Sequence, residues 1–337
     1  MNGPAERPAG PSVTGSPDAA RRAYRPRVLV LRALGLGDLL AGVPALRALR
    51  RAFPGHETVL AAPAGLAPLV ERTGAVDTLL PAAAPGRAVP EELDWSGPPP
   101  DIAVDLHGNG PESMRPLEKL GPGRLLAFAA PDGPPWYAQE HERDRWCRFL
   151  RCYGIPADPA DLRLPPPDPA VEPSPAPGAV LLHPGAGSPS RCWPVERYAA
   201  VARELCRAGH RVAVTGGPDE RELTARLAEL AGLPPGGVHR PASLDGLAAL
   251  VADASAVVSG DTGIAHLAVA LGIPSVTLFG PVAPRLWGPP RTERHRALWY
   301  PGPPGDPHAR RPDPLLLRIR PEEVLAALSR LPEVRTV

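Results

Sequence analysis

The chain has 337 residues, long for one core and suited to two domains of ordinary size. With 43% hydrophobic and 22% charged residues it has a globular composition, and a formal net charge of +1 gives no global electrostatic case for binding nucleic acid or acidic membranes. No apolar run approaches the roughly 20 residues that span a bilayer.

The first 24 residues are rich in Pro, Gly, Ala and Ser and lack the apolar stretch of a secretory signal, so a disordered leader is expected. Cysteines 147, 152, 192 and 206 form no CxxC pair and no zinc-type spacing; reduced thiols in a cytoplasmic protein are expected.

Arg27 to Arg32 (RVLVLR) is a short apolar run suited to a buried parallel strand. The turn ALGLGD follows, then LLAGVPALRALRRAF with apolar residues at helical spacing. A weaker strand is read at 59–62, a short helix at 67–72 and a strand at 76–80. Ile102 to Leu106 is a clear strand ending in the polar loop HGNG, and residues 140–153 carry an amphipathic helical pattern. The segment 164–178, LPPPDPAVEPSPAPG, has too much proline for helix or central strand and reads as a semi-rigid linker.

The second half restarts the same grammar. Strand 179–182 leads through HPGAGSPSRCWP into helix 195–208; strand 211–215 leads through GGPDE into helix 219–231. A helix at 244–254 precedes strand 256–259, the triplet DTG, helix 264–271 and strand 275–279. Strands alternating with helices imply α/β structure with parallel sheets, and two such halves predict two Rossmann-like domains facing a cleft. Ligands of open parallel sheets bind beyond the carboxyl ends of the strands.

Three loops carry candidate chemistry. Asp261-Thr262-Gly263 matches an aspartic protease loop, but such a protease needs two carboxylate loops sharing a proton, and here the triplet occurs once and runs into a helix. As a strand-to-helix turn it offers backbone N–H groups and the helix dipole to a phosphate, with His266 one turn further in. The bland alternative is that Asp261 merely caps the helix. In HPGAGSPSRCWP, Gly185 and Gly187 permit close backbone approach, Ser188 and Ser190 supply hydroxyls, and Arg191 is a permanent cation suited to phosphate; the alternative is a flexible connection with a surface arginine. ALGLGD places Gly35 and Gly37 as in a dinucleotide fingerprint, but position 40 is Leu, and no GxxxxGK[ST] occurs. Asp38 is then either an N-cap carboxylate or a general base aimed across the cleft. No Asp-x-Asp triplet is present, so no metal ligands are assigned.

Together these segments resemble glycosyltransferase family 9, typified by ADP-heptose:lipopolysaccharide heptosyltransferases. The likeness rests on VLVLRALGLGDLLAGVPALRALRRAFP, HPGAGSPSRCWPVERYAAVARELCRAGHRVAVTGGPDE and LAALVADASAVVSGDTGIAHLAVALGIPSVTLFGP, in that order, and spans about 25 to 315. It implies the GT-B architecture, with an acceptor domain over 25–163, the linker at 164–178 and a nucleotide-sugar domain over 179–318. A helix over 319–332 is expected to pack back toward the first domain.

The resemblance implies inverting, metal-independent transfer with no cofactor, from a nucleotide-sugar donor (an ADP-sugar favoured, heptose the family's sugar) to a glycan, glycolipid or small-molecule acceptor. No nucleic-acid partner is expected, and at most peripheral membrane contact. Asp38 matches the family's base and Arg191 its diphosphate-binding cation. Glu220 matches a ribose ligand, Asp261, Thr262, Gly263 and His266 match the nucleotide turn, and Trp193 is expected to pack the loop. On the acceptor side Gly37, His107, Asn109 and Arg115 are candidates, in a stretch (81–140) where Arg115, Lys119 and Arg124 are the basic residues singled out. The competing readings are a nucleotide-sugar 2-epimerase of the same architecture, a non-catalytic sugar-nucleotide sensor and, disfavoured by its glycine spacing, an NAD-dependent oxidoreductase.

Overall fold

The computed structural model describes residues 25–332, so the expected leader lies outside the described residues. In the first half β1 (Arg27–Leu31) is flanked by β2 (Glu57–Ala62) and β4 (Ile102–Asp105). With β3 (Thr78–Pro81) and β5 (Arg124–Leu126) they form a parallel sheet of order β3-β2-β1-β4-β5. Val28, Leu29, Val30 and Leu31 have no exposed surface, the mark of a central strand covered on both faces. Helices α1 (Leu36–Ala52), α2 (Ala67–Arg72), α3 (Pro111–Glu118) and α4 (Glu142–Cys152) supply the cover.

The second half repeats the plan with β6 (Val180–His183), β7 (Val212–Thr215), β8 (Val238–His239), β9 (Ala256–Gly260), β10 (Ser275–Leu278) and β11 (His295–Leu298). All are parallel, in the order β11-β10-β9-β6-β7-β8. Its helices are α5 (Val195–Arg207), α6 (Arg221–Ala231), α7 (Leu244–Ala252), α8 (Gly263–Leu271), α9 (Pro284–Trp287) and α10 (Pro321–Leu328). Two Rossmann-like domains thus face one another in the GT-B arrangement. Strand order reverses between β1 and β4 in one sheet and between β6 and β9 in the other. Crevices open at such reversals, outside the carboxyl ends of the strands.

The domains are not independent bodies. One hydrophobic cluster runs from Leu40, Val43 and Leu46 of α1 to Ile264, Leu267 and Leu271 of α8. Polar ties flank it: Arg72 bonds Asp245 (2.6 Å), and His141 Nε2 donates to the Gly288 carbonyl (3.0 Å). The proline-rich linker lies along the second domain, with Leu164 N donating to Ala270 O and Gly178 N to Asp253 O, both at 2.8 Å.

The expected return of the C-terminal helix to the first domain is corrected. Helix α10 packs on α5 and β10 of the second domain, where Val324 and Leu328 are buried. Ile319, which precedes it, accepts a hydrogen bond from the buried Trp193 indole (3.1 Å), and Tyr300 donates to Glu323 (2.7 Å). The apolar side of the helix is thereby used up where the chain already stands. Among the described residues no helix is long and apolar enough to cross a membrane.

Candidate active site

A cleft of about 1140 Å³ opens between the carboxyl ends of the two sheets. Its first-domain wall is the start of α1 with Gly65 and Arg87; its second-domain wall is built from the loops after β6, β7 and β9.

On the first wall Asp38 is the third residue of α1. Its Oδ2 accepts the N–H of Gly35 at 3.2 Å, so this carboxylate is tied back to the residue that precedes its own helix. The same oxygen pairs with Arg87, a residue that sequence reasoning missed. Arg87 follows Gly86 in a tight turn and has a φ of 65°, a left-handed conformation that residues with a side chain seldom adopt and that concentrates at functional sites. Its guanidinium is half-exposed, and burial together with Arg191 and Arg32 lowers its pKa. The signal available in sequence was the Pro-Gly-Arg turn at 85–87, in the same stretch as Arg115, Lys119 and Arg124.

Beneath the turn lies a second missed feature. Arg32, fully buried at the end of β1, donates to the Asp38 carbonyl (2.7 Å) and to the Leu106 carbonyl. It pairs with Glu142 at 3.2 Å, and Glu142 also accepts the Trp146 indole N–H (2.7 Å) and pairs with Arg145. Burial lowers the Arg32 pKa, opposed by Glu142. A buried cation needs such partners, and here they anchor the backbone that carries Asp38.

On the second wall His183 ends β6. Its Nδ1 lies 3.0 Å from the Thr215 carbonyl, which can only accept, so the proton sits on Nδ1 and Nε2 faces Glu220 at 3.9 Å. The Glu220 carboxylate accepts Gly217 N–H at 2.7 Å and fills the space a side chain at Gly185 would occupy. Gly185 is therefore a glycine because of Glu220. Ala186, Gly187 and Arg191 line the cleft, with Arg191 Nη1 donating to the Asp261 carbonyl at 3.1 Å and its Nε left unpaired.

Ser188 does not do what its place in the loop led us to expect. Its hydroxyl is buried, shared with Ser190 (3.1 Å) and directed to Ala309 O (3.3 Å), while Ser190 donates to Pro307 O (2.8 Å). These bonds stitch the loop to the segment 307–313, and neither serine lines the cleft.

The DTG turn joins β9 to α8. Thr262 stands at the N-cap with extended backbone and no side-chain capping bond; its carbonyl accepts the Ala265 N–H (3.0 Å), and neither its side chain nor that of Asp261 satisfies the N–H groups of Gly263 and Ile264. Asp261 is buried and its carboxylate accepts no hydrogen bond among the described residues; burial pushes its pKa up to about 6, with Arg191 pulling the other way. His266 Nε2 lies 3.8 Å from Asp261, and its ring meets Trp287 edge-on at 5.8 Å. Burial, helped by the positive neighbours His141, Arg143 and Arg191, pushes His266 down to about 4. At neutral pH the pair is an ionised carboxylate beside a neutral imidazole.

The HGNG loop is bound up with itself. Asp105 accepts Ser113 Oγ (2.6 Å) and His107 N (2.9 Å), and His107 Nδ1 accepts Ala33 N (3.2 Å). Burial pushes Asp105 up to about 6 and His107 down to about 4. His107, Asn109 and Arg115 do not line the cleft, and the latter two are exposed on the surface, whereas Gly37 does line it. Among the described residues no group of three or more His, Cys, Asp or Glu is placed to hold a metal ion.

The chain's likenesses agree with this geometry. Residues 153–315 match the family model described as "Glycosyltransferase family 9 (heptosyltransferase)". Over 295 residues the chain is 29% identical to lipopolysaccharide heptosyltransferase 1 of Pseudomonas aeruginosa, covering 78% of this chain and 81% of the relative. The enzyme of the same name from Escherichia coli K12 is 29% identical over 297 residues, covering 78% and 90%. In fold the chain resembles E. coli ADP-heptose lps heptosyltransferase II (TM-score 0.71, 21% identity, 90% of this chain and 98% of that one). It also resembles a family 9 glycosyl transferase from Veillonella parvula DSM 2008 (TM-score 0.72, 20% identity, 91% and 97%). The chain thus resembles glycosyltransferase family 9 over most of its length, and its likenesses mark it as a glycosyltransferase.

Proposed function

We propose that the protein transfers a sugar, heptose from ADP-heptose by the precedent of its relatives, to a hydroxyl of a glycan, glycolipid or small-molecule acceptor, with inversion and without a metal or other cofactor. One observation carries the reading. Asp38 on the first wall faces an uncapped helix start on the second, and that start is flanked by Arg191 and His266.

The donor's diphosphate sits against the free N–H groups of α8, which bear the positive end of the helix dipole. Arg191 adds charge-assisted hydrogen bonds, and Gly187 lets the phosphates approach the backbone. Glu220, beside the Gly216-Gly217 turn, accepts from the ribose hydroxyls, and the nucleobase lies toward Leu244 and Leu247.

As the bond from the anomeric carbon to the diphosphate breaks, positive charge grows on the sugar and negative charge on the phosphate, where these donors are already in place. The acceptor hydroxyl attacks from the first-domain side and gives its proton to Asp38. Arg87 keeps the free carboxylate in place. In this reading Arg191 and the helix start neutralise the diphosphate in place of a metal. The reaction is placed in the cytoplasm, at most at a membrane surface.

The test is a panel of ADP-, UDP- and GDP-sugars with envelope glycolipid as acceptor, run in EDTA, with the product anomer read by NMR. Consumption of an ADP-sugar with inverted configuration supports the reading. Retention, a requirement for divalent metal, or preference for another nucleotide overturns that part of it.

A further inference from the structure

Two helix starts meet in the middle of the cleft, and each is a glycine on one side of the contact. Gly263, the first residue of α8, lies under Leu36, the first residue of α1. A β-carbon on Gly263 would come within 2.9 Å of Leu36 Cδ2 and 3.0 Å of its Cβ and Cγ. Gly37 lies in turn under the His266 ring, whose Cδ2 would be 2.9 Å from a β-carbon there. Each domain thus inserts a side chain into the bare backbone of the other, next to Asp38 on one side and at the phosphate seat on the other.

We propose that Leu36 is a positioning residue for the transfer. Seated on Gly263, it sets how deeply the Asp38 turn enters against the donor turn, and so the spacing between base and sugar nucleotide. The inference rests on reading Asp38 as the base and the start of α8 as the diphosphate seat.

The contact is steep for a physical reason. Leu36 Cβ is fixed by its own backbone, so no rotamer change relieves an overlap there; the two helix starts must move apart. Behind them the shared core of α1 and α8 transmits any such shift to both domains. Transfer geometry is sensitive on this scale, since a misplacement of about 1 Å costs up to about 10²-fold in rate.

The test compares Leu36→Ala, Leu36→Met, Gly263→Ala and the double variant Leu36→Gly/Gly263→Ala, which alone removes the β-carbon facing position 263, after circular dichroism melts establish folding. Two readouts are taken. The first is ADP-heptose turnover against ADP affinity. The second is the distance between nitroxides on the exposed Cys152 and Cys206, one in each domain, with Cys192 changed to Ser.

Leu36→Ala is expected to lower kcat by about tenfold or more with ADP affinity within about twofold, and Leu36→Met to restore most of the rate. Gly263→Ala is expected to lengthen the interdomain distance, and the double variant to bring it back. A wild-type rate in Leu36→Ala overturns the inference. So does parallel loss of rate and ADP affinity in that variant, or a double variant no closer to wild type than Gly263→Ala. If the wild-type protein turns over no nucleotide sugar, the functional reading falls, and the distance measurement still decides whether Leu36 sets the domain register.

Discussion

The two domains share one parallel plan and differ most at the helix that follows a central strand. At α1 a first-turn carboxylate is tied to its own helix: Asp38 accepts the Gly35 N–H and holds Arg87. At α8 no carboxylate is so tied: Thr262 makes no side-chain capping bond, and the carboxylate of the buried Asp261 accepts no hydrogen bond among the described residues. The same topology thus yields a carboxylate held by its own turn on one wall and a helix start with no carboxylate bonded to it on the other. What divides the work between the walls is where the carboxylate is held. A carboxylate fixed in the first turn serves as base, and a start without one takes an anion.

The largest expected effect breaks the first wall alone. Asp38→Asn, which keeps an oxygen able to accept from Gly35, should lower transfer by about 10²- to 10⁴-fold while ADP affinity changes by less than about twofold. A comparable loss of ADP affinity would mean that the walls are not divided as described. Next comes the second wall. Arg191→Ala removes charge-assisted bonds to phosphate, each contributing about 1.5–3 kcal/mol, so ADP should bind about 10- to 100-fold more weakly by calorimetry.

A smaller effect sharpens the role of the DTG carboxyl. With Asp261 pushed up to about 6 and His266 down to about 4, lowering the pH toward 6 protonates Asp261 and leaves His266 neutral. A bound diphosphate disfavours the ionised carboxylate and so raises the pKa of Asp261 further. ADP affinity should therefore rise as pH falls from about 8 toward 6 and level off below, by at most tenfold per unit. Asp261→Asn should remove this component; the difference between the two curves is the reading, because ADP titrates too. An identical pH dependence in both proteins would exclude Asp261 from the phosphate seat. The smallest effect concerns Ser188. Its hydroxyl is committed to Ala309 and Ser190, so Ser188→Ala should cost about 1 kcal/mol of stability in a denaturant melt and leave ADP affinity unchanged.

Much of this was legible in the sequence. Buried parallel strands are short apolar runs, and β1, β4, β6, β7, β9 and β10 announce themselves that way. Glycine-bearing turns between such runs and amphipathic helices placed Asp38, Arg191 and the DTG triplet at the right ends of the sheets. The edge strands β5, β8 and β11 escaped because they are two to four residues long and carry charged or partly exposed side chains. Helix α3 escaped because it lies in the Pro/Gly-rich stretch and contains Pro116.

What no local pattern shows is pairing at a distance. Arg87 reaches Asp38 across 49 positions and Arg32 reaches Glu142 across 110, so the support of the base becomes visible only in three dimensions. Ser188 shows the opposite error. A hydroxyl in a phosphate-type loop looks like a ligand until the segment 307–313 is seen folding over it.

The most direct measurement of the division between the walls is a crystal structure with ADP bound. The β-phosphate should lie against the first N–H groups of α8 and the Arg191 guanidinium, with the ribose beside Glu220 and with Asp38 across the cleft, free of any phosphate contact. A diphosphate seated instead on the Gly35–Gly37 turn of α1, or ligated through Asp38, would contradict the account.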